Sequence, residues 1–220
     1  MTRRAAPVVL AATSGTGKAT LAHRLVDGPG CYVFSVSATT RAPRPGERDG
    51  VDYHFLSREA FEARVRDHWF AEWASVHDHW YGTPRTELDE AASRGEHVVL
   101  DIDIQGARQI RQTVPDATLI FVLPPSLDTM MRRLTGRGTE EARDIARRLE
   151  TALDELHAAP EFDYVVVNDE LDDCLADIRG IVERDEAPAP PEQDAESMRR
   201  GIVELLDSVY GTYRQDSESE

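Results

Sequence analysis

The segment that most constrains this chain starts as an unbroken apolar run, Val8-Val9-Leu10-Ala11-Ala12. It passes through Thr13-Ser14-Gly15-Thr16-Gly17-Lys18-Ala19-Thr20 into Leu21, Leu25 and Val26 at helical spacing. Such an order reads as strand, loop, helix. Gly15 and Gly17 let successive backbone N–H groups turn inward around an anion, and the following helix adds its positive end, so the loop suits a nucleotide phosphate. Among the 25 Lys and Arg residues of the chain, Lys18 is the only lysine. Keeping a compact ammonium here, in a chain that otherwise uses the flat guanidinium fork, marks a position that reaches the outer phosphates.

The strict loop pattern has glycine at position 12 and a hydroxyl at position 19, whereas this chain has Ala12 and Ala19. Ala12 costs little where φ is negative, because only positive φ demands glycine. Ala19 removes the hydroxyl that usually holds a magnesium ion. Thr20 does not replace it directly, since a helix turns each residue by about 100°.

Four more apolar runs follow: Tyr32-Val33-Phe34, Val98 to Ile102, Thr118 to Val122 and Tyr164 to Val167. Near-continuous apolarity is expected of strands buried on both faces, and helical patterns lie between most of them. The alternation predicts an α/β fold, a mostly parallel sheet flanked by helices, with ligands outside the carboxyl ends of the strands. Residues 37–85 interrupt it with turn formers (Pro43, Pro45, Gly46, Gly50) and aromatics from Tyr53 to Tyr81, as an inserted lobe would. Residues 126–158 read as a helical arm broken at Gly136-Arg137-Gly138. Residues 185–192 read as a Pro-rich linker. Beyond it, within 193–220, Met198, Ile202, Leu205, Leu206, Val209 and Tyr213 form an amphipathic helix that needs cover, with a frayed end from Gln215.

A net charge of −16 excludes general affinity for nucleic acid, whose phosphates need a basic surface. No apolar stretch reaches membrane-spanning length, and the N-terminus has neither a long apolar region nor a cleavage site, which predicts a cytoplasmic protein. Cys31 and Cys174, isolated in unlike contexts, are expected to be two buried thiols rather than a disulfide.

From Ser35 to Glu47 and Asp49 to Phe55, the chain resembles guanylate kinases, and the likeness continues through Glu72-Trp73-Ala74, Tyr81-Gly82-Thr83-Pro84, Leu100 to Gly106, Pro124-Pro125-Ser126, Gly136 to Thr139 and Val167-Asn168-Asp169. It covers about residues 8–184. It implies a P-loop NTPase-type sheet with an inserted GMP-binding lobe (37–85) and a helical lid (126–158), in a kinase domain spanning 1–184. The implied reaction moves the γ-phosphate of Mg2+-bound ATP to GMP.

The resemblance assigns the GMP phosphate to Ser37, Arg41, Arg44, Tyr53 and Tyr81. Two guanidinium forks with phenol hydroxyls do suit a monoester dianion. Glu72 and Thr83 match the residues that read guanine, where one carboxylate accepts from N1–H and the 2-amino group while a hydroxyl donates to O6. Alternation along one strand is expected to turn Asp101 and Asp103 to a common face, and the resemblance gives Asp101 to the metal side and Asp103 to the guanine side. An aspartate capping the next helix is the structural alternative for Asp103. Residues 12–20, from Ala12 to Thr20, together with Asn168 near the adenine, are assigned to ATP. Arg133, Arg137 and Arg148 match the catalytic lid arginines. Two other readings stay open: a non-catalytic guanylate-kinase-like binding module, toward which Ala12 and Ala19 are a step, and a related sugar-phosphate kinase.

Overall fold

A computed structural model describes residues 5–13, 15–76, 78–134, 142–188 and 194–217. In chain order the elements are β1 (Val8–Ala12), α1 (Lys18–Asp27), β2 (Tyr32–Phe34), β3 (Ala38–Thr39), β4 (His54–Phe55), α2 (Arg58–Arg66), β5 (Phe70–Val76), β6 (His79–Pro84), α3 (Arg85–Arg94), β7 (His97–Asp101), α4 (Ile104–Thr113), β8 (Thr118–Leu123), α5 (Leu127–Leu134), α6 (Ala142–His157), a 3₁₀ turn at Ala159–Glu161, β9 (Tyr164–Val167), α7 (Leu171–Arg184) and α8 (Ala195–Ser217). By internal contacts the chain divides into two compact units, Met1–Ala11 with Ala22–Leu119, and Ala12–Leu21 with Ile120–Glu220.

In the first unit β7 pairs in parallel with β2 (Val33 opposite Val98) and with β1 (Val9 opposite Leu100). All five residues of β1 are buried, as an unalternating apolar run requires of a strand covered on both faces. The expected strand at 98–102 is displaced by one residue, ending at Asp101, because Asp103 already caps α4. Cys31, expected to be buried, is exposed just before β2, while Cys174 is buried on α7, where desolvation pushes its thiol up to about 12.

The lobe between β2 and α3 is a separate four-stranded sheet in the order β4-β3-β6-β5, with β5 and β6 antiparallel. Its own core is aromatic. Phe61, fully buried on α2, stacks on Phe70 at 4.4 Å, with Trp69, Trp73 and Trp80 packed around them. Burying one such ring contributes about 1.5–3 kcal/mol toward holding α2 on the small sheet. α2 starts at its N-cap Ser57, whose hydroxyl accepts from Ala60 N–H at 3.1 Å.

In the second unit β8 and β9 pair in parallel, Phe121 opposite Val165, and every residue of β8 is buried. The apolar stripe expected beyond the linker finds its cover inside the chain. α8 packs on α6 and α5, with Met198 and Ile202 fully buried. Gly201 lies so close to α5 that a Cβ there would stand 2.5 Å from Leu127 Cδ2. Helix α8 continues past Gln215, the residue at which fraying is expected, to Ser217. The break expected at Gly136-Arg137-Gly138 lies outside the described residues, as do residues 189–192 of the Pro-rich stretch. No helix among the described residues is long and apolar enough to cross a membrane.

Candidate active site

Ala12 is the last residue of β1 and does not have positive φ, so a methyl is tolerated where the strict pattern has glycine. Gly15 and Gly17 sit at φ +81° and +86°, where a side chain would be strained. Thr13 and Thr16 are buried and tie the loop to itself. The Thr16 hydroxyl donates to the Thr13 carbonyl at 2.6 Å, and the two hydroxyls lie 2.9 Å apart. Ser14 lies outside the described residues. α1 opens with half-buried Lys18 and exposed Ala19 and Thr20, and its first turn is closed by Leu21 N–H on the Gly17 carbonyl at 3.1 Å. The amides at the start of a helix present partial positive charge to an anion.

Two side chains from later in the sequence reach this loop. Asn168, directly after β9 and only 7% exposed, donates from Nδ2 to the Thr16 carbonyl at 2.7 Å. Arg133, exposed on α5, places Nη1 3.2 Å from the same carbonyl and 3.4 Å from that of Gly15. Arg148 is half-buried on α6, and Arg137 lies outside the described residues.

The second site is in the lobe. Ser37, Tyr53, Glu72, Tyr81, Asp101 and Asp103 line one open cavity of about 230 Å3. Glu72 and Thr83 face each other across the β5–β6 pair, and the Thr83 hydroxyl donates to Glu72 Oε1 at 2.6 Å. Both are buried, Glu72 to 5% exposure and Thr83 completely. Burial pushes the Glu72 carboxyl from 4.5 up to about 7; the Thr83 hydrogen bond opposes this and the Asp103 charge adds to it.

Helix α4 fixes that carboxylate from behind. Gln109 accepts from Trp73 N–H at 3.1 Å and donates to the Trp73 carbonyl at 2.7 Å, while the Thr113 hydroxyl donates to the Ala71 carbonyl at 2.7 Å. The residues on either side of Glu72 are thus pinned, and the register shift between Phe70 and Glu72 is what turns the Ala71 carbonyl out of the ladder. A Cβ on Gly106 would stand 3.0 Å from Glu72 Oε2, so the absence of a side chain there leaves the carboxylate its room.

Contrary to the alternation expected, Asp103 is not a strand residue. Its carboxylate caps α4, accepting from Gly106 N–H at 2.8 Å, while exposed Asp101 ends β7, and both border the cavity. Arg41 is held by Glu47 through two hydrogen bonds of 2.9 Å and lies 5.3 Å from the Tyr53 ring. The Arg41 guanidinium and Arg44 N–H hold the Glu47 carboxyl below its usual range, and Glu47 in turn raises Arg41. Arg44 is exposed and enters this cluster through its backbone N–H, 2.6 Å from Glu47.

Sequence reasoning gives no role to Glu47, Gln109, Thr113 or Gly106. An acidic residue within an arginine loop is a readable signal for Glu47. The i, i+4 spacing of Gln109 and Thr113 marks a shared helix face but not the strand it grips. No group of three or more His, Cys, Asp or Glu among the described residues could cage a metal ion. Magnesium bound with a nucleotide keeps waters and phosphate oxygens and needs only one or two carboxylates, so exposed Asp101 fits such an ion and Ala19 contributes nothing to it.

The buried carboxylate has a pH consequence. Its folded value exceeds the unfolded one, so between pH 4.5 and about 7 the folded protein holds the extra proton, and stability falls as pH rises through that window. Glu72→Gln removes this titration. Its melting temperature relative to the unsubstituted protein is expected to climb by about 5 °C or more between pH 5 and pH 8. A difference that stays constant over that range in calorimetric scans would contradict the buried, proton-retaining carboxyl.

A family model described as guanylate kinase matches residues 4–185. The guanylate kinase of one Thermus thermophilus strain is 48% identical over 174 residues, covering 79% of this chain and 79% of that protein. That of a Synechocystis strain is 47% identical over 168 residues, covering 76% of this chain and 88% of that protein. A crystal structure of guanylate kinase from Anaplasma phagocytophilum superimposes with a TM-score of 0.64 at 30% identity, covering 94% of this chain and 96% of that one.

Proposed function

The chain belongs to the guanylate kinase family and transfers phosphate from ATP to GMP, and we propose that the residues of its loop and lobe divide that reaction as follows. In the lobe, the Glu72 carboxylate accepts from guanine N1–H and the 2-amino group, the Thr83 hydroxyl turns its one proton from Glu72 to O6 as the base enters, and Asp103 borders the base. Ser37, Arg41, Arg44, Tyr53 and Tyr81 take the phosphate. A single observation carries this assignment: a nearly buried carboxylate, bonded to a fully buried hydroxyl, on the wall of a cavity that Ser37, Tyr53 and Tyr81 also line. Adenine offers the opposite hydrogen-bonding pattern on that edge and would leave these groups unpaired.

The loop from Ala12 to Thr20 holds the ATP phosphates, with Lys18 on the outermost. Phosphoryl transfer asks for positioning and charge stabilisation rather than a protein nucleophile. Arg133, Arg137 and Arg148 supply positive charge to the equatorial oxygens of the transferring group. Magnesium, carried with ATP, neutralises charge on the phosphate oxygens, and Asp101 is the carboxylate assigned to its side. We place the reaction in the cytoplasm, with ATP and GMP as the binding partners.

Mixing the protein with ATP, magnesium and GMP, AMP or a sugar phosphate in turn tests the assignment. ADP and GDP are expected in equal amounts with GMP, and little ADP with the others. A folded protein that releases no ADP would instead be a binding module, and faster turnover of a sugar phosphate would overturn the lobe assignment.

A further inference from the structure

The carbonyl of Thr16 gathers contacts that the division of labour above leaves unexplained. It accepts from Asn168 Nδ2 at 2.7 Å and from Arg133 Nη1 at 3.2 Å, while the same residue's hydroxyl is bound to Thr13. Asn168 is itself fixed, its backbone N–H donating to the Leu123 carbonyl at the end of β8 at 2.8 Å. A buried amide on a strand end is a rigid anchor, whereas Arg133 is exposed on a helix of the arm.

In a trans peptide the carbonyl oxygen and the next N–H point in opposite directions. Holding the Thr16 oxygen against Asn168 therefore aims the Gly17 N–H away from Asn168. The close approach also calls for glycine at 17, where φ is positive and a Cβ would stand 3.1 Å from Asn168 Nδ2.

We propose that Asn168 is a positioning residue for the phosphate loop, fixing the Thr16–Gly17 peptide so that the Gly17 N–H faces the bound phosphates. The proposal rests on the loop being the ATP cradle. It differs from the role implied by resemblance, contact with adenine, for which a side chain with 7% of its surface exposed and one donor already engaged is poorly placed.

Inorganic tripolyphosphate, which has no base, separates the two roles. Calorimetric titrations of the unsubstituted protein, Asn168→Ala and Asn168→Leu with tripolyphosphate and with ATP are the test. GMP titrations of the same samples report that the protein is folded. Asn168→Leu keeps the size, removes the donor and adds no charge, so it carries the test if the alanine variant does not fold. Both variants are expected to weaken tripolyphosphate and ATP by the same factor, about tenfold, with GMP affinity unchanged. A loss confined to ATP would assign Asn168 to the base and overturn the proposal, as would undiminished affinity for both ligands. Failure of the unsubstituted protein to bind tripolyphosphate would overturn the cradle assignment and the proposal with it.

Discussion

Replacing Lys18 with alanine is expected to slow phosphoryl transfer by about a thousandfold or more while leaving the affinity for GMP unchanged. The lysine opens α1 directly after Gly17, and the proposed role has its ammonium and the amides of the first turn act on one anion. Charge accumulates on the transferring group only as the transition state forms, and a cation placed for that moment lowers the barrier without tightening ground-state binding of the acceptor. In the proposed division GMP is read by residues of the lobe, which the substitution does not touch. Lys18→Arg sharpens the expectation. In a chain that uses arginine at all its other Lys and Arg positions, a retained lysine implies that the wider fork does not fit, and arginine should restore little of the rate. Single-turnover rates at saturating GMP, with GMP dissociation constants for each variant, check both statements. A rate within a few-fold of the unsubstituted protein for Lys18→Ala would remove the loop from the chemistry.

Where the chain folds through local signals, its sequence is readable. β1, the loop and α1 follow one another along the chain, and Gly15 and Gly17, singled out from the sequence as the turning points of the loop, both have positive φ. The short strands at Tyr32–Phe34 and Tyr164–Val167 appear with the bounds their apolarity suggests, although in the second only Val166 is buried. Legibility fades where a contact spans the sequence. Nothing near Gln109 says that it will clasp Trp73, because the pairing depends on how α4 lies against β5 and on a register shift that frees the Ala71 carbonyl. Period-two alternation puts Asp101 and Asp103 on one strand face, yet a side chain able to cap a helix competes with strand continuation, and the cap prevails at Asp103. The apolar run beside Cys31 suggests a buried thiol, but the strand begins one residue later and leaves it exposed. The cover for α8 is equally unreadable. An apolar stripe states that a partner exists, and only the packing names α6 and α5.

Glu72→Gln is expected to reduce kcat/KM for GMP by about a thousandfold, roughly 4 kcal/mol of lost transition-state binding. A carboxylate accepts at both oxygens, and here one already takes the Thr83 hydroxyl while the other lies beside the space left open by Gly106. An amide in its place turns a donor toward guanine N1–H or the 2-amino group, so two donors meet at a side chain that is itself nearly buried. Adenine, which carries an acceptor at N1 and a donor at N6, does not suffer that conflict, so turnover of AMP should change little. The same variant gains stability at high pH through loss of the buried titrating group, and this separates a damaged fold from a damaged recognition site.

The claim on which the rest depends is that this buried carboxylate is what selects the acceptor base. Its most direct measurement is the ratio of kcat/KM for GMP to that for AMP, in the unsubstituted protein and in Glu72→Gln. The ratio should exceed about a thousand in the first and fall by at least about a hundredfold in the second. A ratio near one in the unsubstituted protein, or one that the substitution leaves unmoved, would contradict it.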